Sequence, residues 1–169
     1  MNHISLRPLT TADAPRLAHL GNDSLVSRYL SERFPYPYHP EDAIAFITKV
    51  RSGEAGIVLG IIVNGQLAGT IGLEDTDVPQ VKRIGYFLGR DYWGRGIATQ
   101  AVRLMVHKAF SEYGCRTLTA YTHAQNAASA RVLEKNGFRQ LPGPPSESCS
   151  CRTPGPLVGY QLHKEEIEA

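Results

Sequence analysis

The apolar and polar positions divide the chain into segments of alternating period. Ile4-Ser5-Leu6-Arg7 alternates and predicts a first strand. Thr11 or Asp13 can cap a helix from about Ala14 to Ser24, whose apolar side would be Leu17, Leu20 and Leu25. Glu41-Asp42 open a second helix, Ala43 to about Arg51, with Ile44, Ile47 and Val50 on its inner side. Ile57 to Val63 is almost wholly apolar, as in a central strand. Asn64-Gly65 is a two-residue hairpin signal, and Gln66 to Glu74 is the partner strand. After an acidic loop from Asp75 to Gln80, a third strand of this series follows, alternating Ile84, Tyr86 and Leu88 with Gly85, Phe87 and Gly89.

A polar turn, Arg90-Asp91-Tyr92, then leads through Trp93-Gly94-Arg95-Gly96 into a helix from Ile97 to about Tyr113. That helix carries Ile97, Ala101, Leu104, Met105 and Ala109 at helical spacing and is stopped by Gly114. Thr117 to Thr122 is a β-branched strand, Ala124 to Lys135 a helix, and Phe138 to Leu141 another strand. Residues 142–156 hold five prolines, three serines, two glycines and Cys149-Ser150-Cys151, and predict a mobile loop. Leu157 to Leu162 is a closing strand, followed by a charged tail from Lys164 to Ala169.

Composition narrows the function. At 169 residues, 42% hydrophobic and 20% charged, the chain fits a single domain, 1–169, with one core. A net charge of +2 without a basic arm argues against a nucleic-acid partner. No apolar run approaches the roughly 18 residues that span a bilayer, and Met1 to Arg7 lacks the order of a signal peptide. A cytoplasmic protein without membrane partners is the expectation, with monomer and homodimer both open. Three cysteines, Cys115, Cys149 and Cys151, make no disulfide framework. Cys115 reads as a small packing residue. Cys149-Ser150-Cys151 lacks a neighbouring histidine or third cysteine, so no metal is expected.

The chemistry concentrates between Ile84 and Val102. A strand, a Gly-x-Gly turn and a helix start form an anion site: free N–H groups point into the turn, the helix dipole adds partial positive charge, and glycines admit a phosphate to the backbone. Arg95 can add a full charge. No Gly-Lys-Ser/Thr ending follows, which excludes a Walker loop, and Thr99 stands where a dinucleotide fingerprint needs Gly or Ala. A plain strand-to-helix connection would use two glycines in the same way.

A second stretch lies about thirty residues on, Asn126 to Phe138. Together the two resemble the GNAT superfamily of acyl-CoA-dependent N-acetyltransferases, and within it the RimJ/RimL-type group that acetylates protein N-termini and small amines. The family's loop pattern, Gln/Arg-x-x-Gly-x-Gly/Ala, is met by Trp93-Gly94-Arg95-Gly96-Ile97-Ala98, with Trp93 departing at the first position. The resemblance extends over about residues 4 to 141. It implies an α/β (α+β) fold with a mixed, mostly antiparallel sheet flanked by helices and splayed at a cofactor gap. It also implies acetyl-CoA as cosubstrate and an amine acceptor, either a protein N-terminus or a small molecule such as a polyamine, an amino acid or an antibiotic.

By that resemblance, Tyr86, Phe87 and Leu88 present backbone groups to the pantetheine arm. Gly94, Arg95, Gly96, Ile97, Ala98 and Thr99 cradle the pyrophosphate. Asn126 and Ser129 hold the arm, Ser129 assists the departing thiolate, and Arg131 reaches for the nucleotide phosphates. Asn126 also reads as a helix N-cap, Ser129 as a small packing residue, and Arg131 as part of a solvated face. The aromatic, proline-rich stretch Phe34 to Pro40 reads either as a core-edge connector or as an acceptor wall, with Tyr36 and Tyr38 as its candidates.

Many relatives place a basic glutamate near position 83, where this chain has Lys82-Arg83. Glu74 is the substitute by position, followed by Asp75, Asp77, Glu32 and His123. An α-amino group, with a pKa of about 7.7–8.0 against roughly 10.4 for lysine, needs less help from a base, so the departure leans toward a weak amine. It also keeps open a non-catalytic acyl-CoA-binding module of the same fold.

Overall fold

The computed structural model describes residues 2–143 and 151–168. Among the described residues seven strands and six helices follow in order, α2 and α6 being additional to those predicted: β1 (Ile4–Pro8), α1 (Ala14–Gly21), α2 (Ser24–Ser27), α3 (Pro40–Arg51), β2 (Ile57–Val63), β3 (Gln66–Asp75), β4 (Val81–Leu88), α4 (Ile97–Ser111), β5 (Thr117–His123), α5 (Ala127–Lys135), β6 (Arg139–Gln140), β7 (Leu157–His163) and α6 (Lys164–Glu168). They build one open sheet in the order β1-β2-β3-β4-β5-β7-β6. All neighbours are antiparallel except β4 and β5, which run parallel. The β2–β3 hairpin turns on Asn64 and Gly65, both at positive φ, as its Asn-Gly sequence predicts.

Alternation along each strand sends side chains to two cores, one on each sheet face. Ile61, Ile71, Ile84, Leu88 and Leu118 meet Ile97, Met105 and Leu133 on the face covered by α4 and α5. Ile62, Leu67 and Phe87 meet Leu17, Ala43 and Ile47 on the face covered by α1 and α3. The alternation in β4 therefore directs Tyr86 and Phe87 to opposite sides.

The differences from expectation have local causes. The first helix stops at Gly21, because Asn22 leaves helical geometry and the Asp23 side chain caps a separate short helix at Leu25 N–H. A Cβ on Gly21 would come within 2.7 Å of the Tyr38 ring, so this end is packed too tightly for a side chain. Leu25 consequently lies on the exposed side of α2 rather than along α1. In α3 the buried stripe is set by Ala43 and Ile47. Ile44, about 100° round the helix from Ala43, is 47% exposed. Leu104 is likewise on the outer side of α4. Asn126 is the N-cap of α5, which therefore starts at Ala127, and the charged tail continues as α6. Cys149 and the stretch Pro144–Ser150 of the predicted mobile loop lie outside the described residues.

Candidate active site

The site begins where two parallel strands part. β4 and β5 pair only through Val81, Lys82 and Arg83 against Thr117, Leu118 and Thr119. Beyond Arg83, β4 continues along β3 as far as Leu88, while β5 follows β7 as far as His123. A wedge opens between Ile84–Leu88 and Ala120–His123, with backbone on both walls.

At the wide end of the wedge the chain leaves β4 through a turn into α4. Gly94 and Gly96 have φ of 72° and 74°, left-handed values that favour glycine. A Cβ at either would meet no protein atom within 4 Å, so the space above the turn is open. Trp93 fixes the turn to the strand by donating from its indole Nε1 to the Leu88 carbonyl at 2.9 Å. Arg95 lies over the Tyr92 ring and donates to the Asp91 carbonyl and to Asn2 Oδ1. Ile97 is buried, while Ala98 and Thr99 are half-buried in the first turn of α4. These features fit a diphosphate: a helix start and two glycines with unobstructed backbone.

Across the wedge, α5 presents Asn126 and Ser129. Asn126 Oδ1 accepts from Ser129 N–H at 3.3 Å and holds the first turn. The Ser129 hydroxyl receives a hydrogen bond from the Tyr86 hydroxyl of β4 at 3.4 Å, so the two walls meet through paired hydroxyls. Burial pushes the Tyr86 phenol above its ordinary value, against a smaller opposite effect of Ser129. At the other end of α5, Asn136 Nδ2 donates to Thr99 O of α4 and to Val132 O, tying the helix with the serine to the helix with the turn. Arg131 is exposed on α5.

The opposite face of the wedge is different in character. Gly85 is exposed with open space where a side chain would be, between Arg83 and Phe87 on the same face. Phe34 packs edge-on against both Phe87 and Tyr38, with centroids 5.0 and 5.2 Å apart. Tyr38 is buried in the core, and burial with Asp42 nearby raises its hydroxyl to about 12. Tyr36 is 44% exposed beside it. Cys151 to Thr153 pair with Arg28–Ser31 through the Ser31–Cys151 bridge, Arg152 N–H to Leu30 O and Thr153 N–H to Arg28 O. The C-terminal part of the predicted loop is thus strapped across this face.

The candidate bases are placed as follows. The Glu74 carboxylate, at the exposed end of β3, is 2.6 Å from the Arg83 guanidinium, which also lies over the Tyr121 ring. Asp75 is paired with Lys82. His123 is 2% exposed, stacked with Tyr29, and both its nitrogens are engaged. Nδ1 accepts from Gln125 N–H, which leaves Nε2 as the protonated nitrogen facing the Pro154 carbonyl. No lone pair remains for an incoming proton, so His123 holds the strap rather than serving as a base. Among the described residues no cluster of His, Cys, Asp or Glu could hold a metal ion, and no helix is long and apolar enough to cross a membrane.

An acetyltransferase (GNAT) domain family model matches residues 3–139. The chain belongs to the GNAT acetyltransferase family. It is 31% identical over 146 residues to "Putative ribosomal N-acetyltransferase YdaF" of Bacillus subtilis (strain 168), covering 80% of this chain and 78% of the relative. A crystal structure described as "Probable acetyltransferase" superposes with a TM-score of 0.82 and 29% identity, over 97% of this chain and 94% of the other. Mycobacterium smegmatis RimJ in complex with CoA-disulfide shares the fold at a TM-score of 0.87 and 17% identity, over 98% and 84% of the two chains. The RimJ/RimL-like resemblance read from the sequence is thereby supported. As a GNAT protein the chain is an N-acetyltransferase.

Several parts of the site are absent from the sequence reading. Tyr86 was expected to act through its backbone on the pantetheine arm; the contact of its hydroxyl with Ser129 required knowing where α5 lies. The bond from Asn136 to Thr99 joins two helices and has no local signal. The strap on Arg28–Ser31 had no local signal.

Proposed function

We propose that the protein transfers an acetyl group from acetyl-CoA to a primary amine by direct attack, with both substrates bound in the wedge. The observation carrying this reading is the parting of β4 from β5 at Arg83/Thr119, with the Gly94–Gly96 turn at its wide end and Ser129 across it. Acetyl-CoA would supply an activated acyl group on a thiol leaving group. The RimJ neighbour, whose structure holds a CoA-disulfide, supports a CoA ligand for this fold.

The residues divide the work. Backbone N–H groups from Gly94 to Thr99 receive the pyrophosphate, aided by the α4 dipole. Tyr86, Phe87 and Leu88 offer strand-edge groups to the pantetheine arm, except that the Leu88 carbonyl is already taken by Trp93. Asn126 sets the first turn of α5, and Ser129 offers its Oγ–H to the sulfur as the C–S bond breaks. A thiol pKa of roughly 8.5 makes thiolate a fair leaving group, so one hydrogen bond is sufficient assistance. The amine enters over Gly85 from the Arg83 and Phe87 side, where Phe34 and Tyr36 form the nearest aromatic wall and Tyr38 backs it from the core.

Among the described residues, the candidate bases Glu74 and His123 are both engaged, the first in its ion pair with Arg83 and the second through both ring nitrogens. Glu74 remains the candidate carboxylate by position, held in its ion pair with Arg83. A weakly basic amine suits such a site, because an α-amine is already about a tenth neutral near pH 7. The acceptor class proposed is therefore an α-amine, of a protein N-terminus or of a small molecule, ahead of a lysine-like amine. Thiol release from acetyl-CoA, measured against N-terminal peptides, amino acids and polyamines, tests this. Turnover with α-amines supports the reading, and turnover confined to polyamines overturns it.

A further inference from the structure

The Tyr86 hydroxyl, paired with Ser129 between β4 and α5, is used by no role assigned so far. Tyr86 shares its face with Ile84 and Leu88, packs against the α4/α5 core and is half-buried, yet its hydroxyl is not lost in that core. It ends on Ser129 Oγ, 3.4 Å away. The amide N–H of Ser129 is directed to Asn126 Oδ1, so the backbone does not orient the serine hydroxyl. A serine hydroxyl rotates freely, and its single proton goes wherever the best acceptor lies. Left alone on the first turn of a helix, it could turn that proton away from the wedge.

We propose that Tyr86 is a positioning residue for thiolate departure: its phenolic O–H fills the acceptor side of Ser129 Oγ and leaves the serine proton directed at the sulfur. This rests on the reading of Ser129 as the hydrogen-bond donor to the leaving group. A tyrosine suits the task because its proton must stay in place. Burial holds the phenol above its ordinary value of 10.0, so it remains a donor throughout the neutral range. The same direction of shift makes it a poor acid toward a thiolate of pKa roughly 8.5, so its role is orientation and not proton delivery. The amine nitrogen forms the amide C–N bond as the C–S bond breaks; the electron pair goes to sulfur, which leaves as CoA thiolate, and the proton shed by the amine passes to solvent, so the charge balances. Tyr86 ends the step as it began. The 3.4 Å separation is long for an O–H···O bond, as is common before substrate is bound, and shortens when the sulfur draws the Ser129 proton.

The test uses the full-length protein with Tyr86→Phe, Ser129→Ala and the double variant. Single-turnover thiol release from acetyl-CoA is followed with a dipeptide amide as the α-amine probe, beside hydrolysis with water as the acceptor, since thiolate departs in both. Tyr86→Phe is expected to slow release about five- to tenfold while acetyl-CoA affinity stays within about twofold, because the ring and backbone are retained. The double variant should be no slower than Ser129→Ala alone, since the tyrosine acts only through the serine. Slow Ser129→Ala with wild-type rates for Tyr86→Phe would overturn the positioning role and leave the serine reading intact. Multiplying effects in the double variant would also overturn it. Wild-type release by Ser129→Ala would remove the serine reading and the proposal together. Should Tyr86→Phe be unstable, the stoichiometry of acetyl-CoA binding gives the folded fraction on which the rate is calculated.

Discussion

Consider a single methyl group added at Gly96. The residue caps α4 with φ of 74°, and an added Cβ would meet no protein atom within 4 Å. Gly96→Ala therefore creates no clash in the free protein. Its cost is conformational, about 1–2 kcal/mol for an L-residue in the left-handed region. Gly114, just beyond the other end of the same helix, is a matched control: its φ is 66° and its surroundings are equally open. The two positions are separated by the 15 residues of α4, about 22 Å of helix. Both alanine variants should lower the thermal midpoint by about 2–8 °C, taking roughly 2–4 °C per kcal/mol for a chain of this size. They should differ in ligand affinity. Amide–phosphate hydrogen bonds are charge-assisted and contribute about 1.5–3 kcal/mol each. Displacing the diphosphate from one such N–H at Gly96 weakens acetyl-CoA binding about ten- to a hundredfold, while Gly114→Ala leaves it unchanged. Calorimetric titration reads the affinity and thermal unfolding reads the stability. Equal affinity losses at the two glycines, or none at Gly96, would refute the phosphate assignment, whatever the midpoints do.

Ser129→Ala should lower turnover about tenfold, with acetyl-CoA affinity within about twofold of wild type; an equal loss of affinity would make the serine a packing residue. Asn126→Ala removes the α5 cap and should cost about 0.5–2 kcal/mol in chemical denaturation, and an unchanged stability would dismiss the cap. Trp93 is the chain's single tryptophan, 42% exposed beside the turn, so acetyl-CoA should shift or quench its emission saturably; a spectrum indifferent to ligand would place the ligand elsewhere. Asp13 is held below its ordinary value of 3.8, first by its hydrogen bond from Arg7. A depressed folded-state pKa means stability present above that ordinary value and lost as the pH falls through the lower folded one. The stability gap between wild type and Arg7→Ala should thus be flat at neutral pH and close in acid below 3.8; a gap persisting unchanged in acid would contradict the pairing.

The parts of the fold legible in the sequence were those written in local chemistry. Asn64-Gly65, the alternation of Ile84 to Leu88, the glycines of the phosphate turn and the Asn126 cap each act within a few residues, and the structure has them at those positions. The length of α1 was not legible, because it ends where Asn22 leaves helical geometry, with Gly21 packed against the Tyr38 and Phe34 rings from the loop before α3. Ile44 and Leu104 were read as inward from helical spacing alone. Their neighbours Ala43 and Met105 took the core, since spacing defines a stripe but not which sheet face it meets. In the site, the geometry of the Gly94–Gly96 turn was legible because it is a backbone device carried by a short motif. The chemical half depends on contacts between distant segments: Tyr86 with Ser129, Glu74 with Arg83, and His123 with Pro154. No spacing rule joins residues that far apart.

The central claim is that the wedge and its glycine turn form a seat for an acyl-CoA. Its most direct test is calorimetric titration of the protein with acetyl-CoA and, in parallel, with acetyl-pantetheine, which has the same thioester and arm without the diphosphate. The account predicts saturable one-site binding of acetyl-CoA and affinity at least about tenfold weaker for acetyl-pantetheine, the difference being the diphosphate on the α4 turn. No binding of acetyl-CoA, or equal affinity for the two, would contradict it.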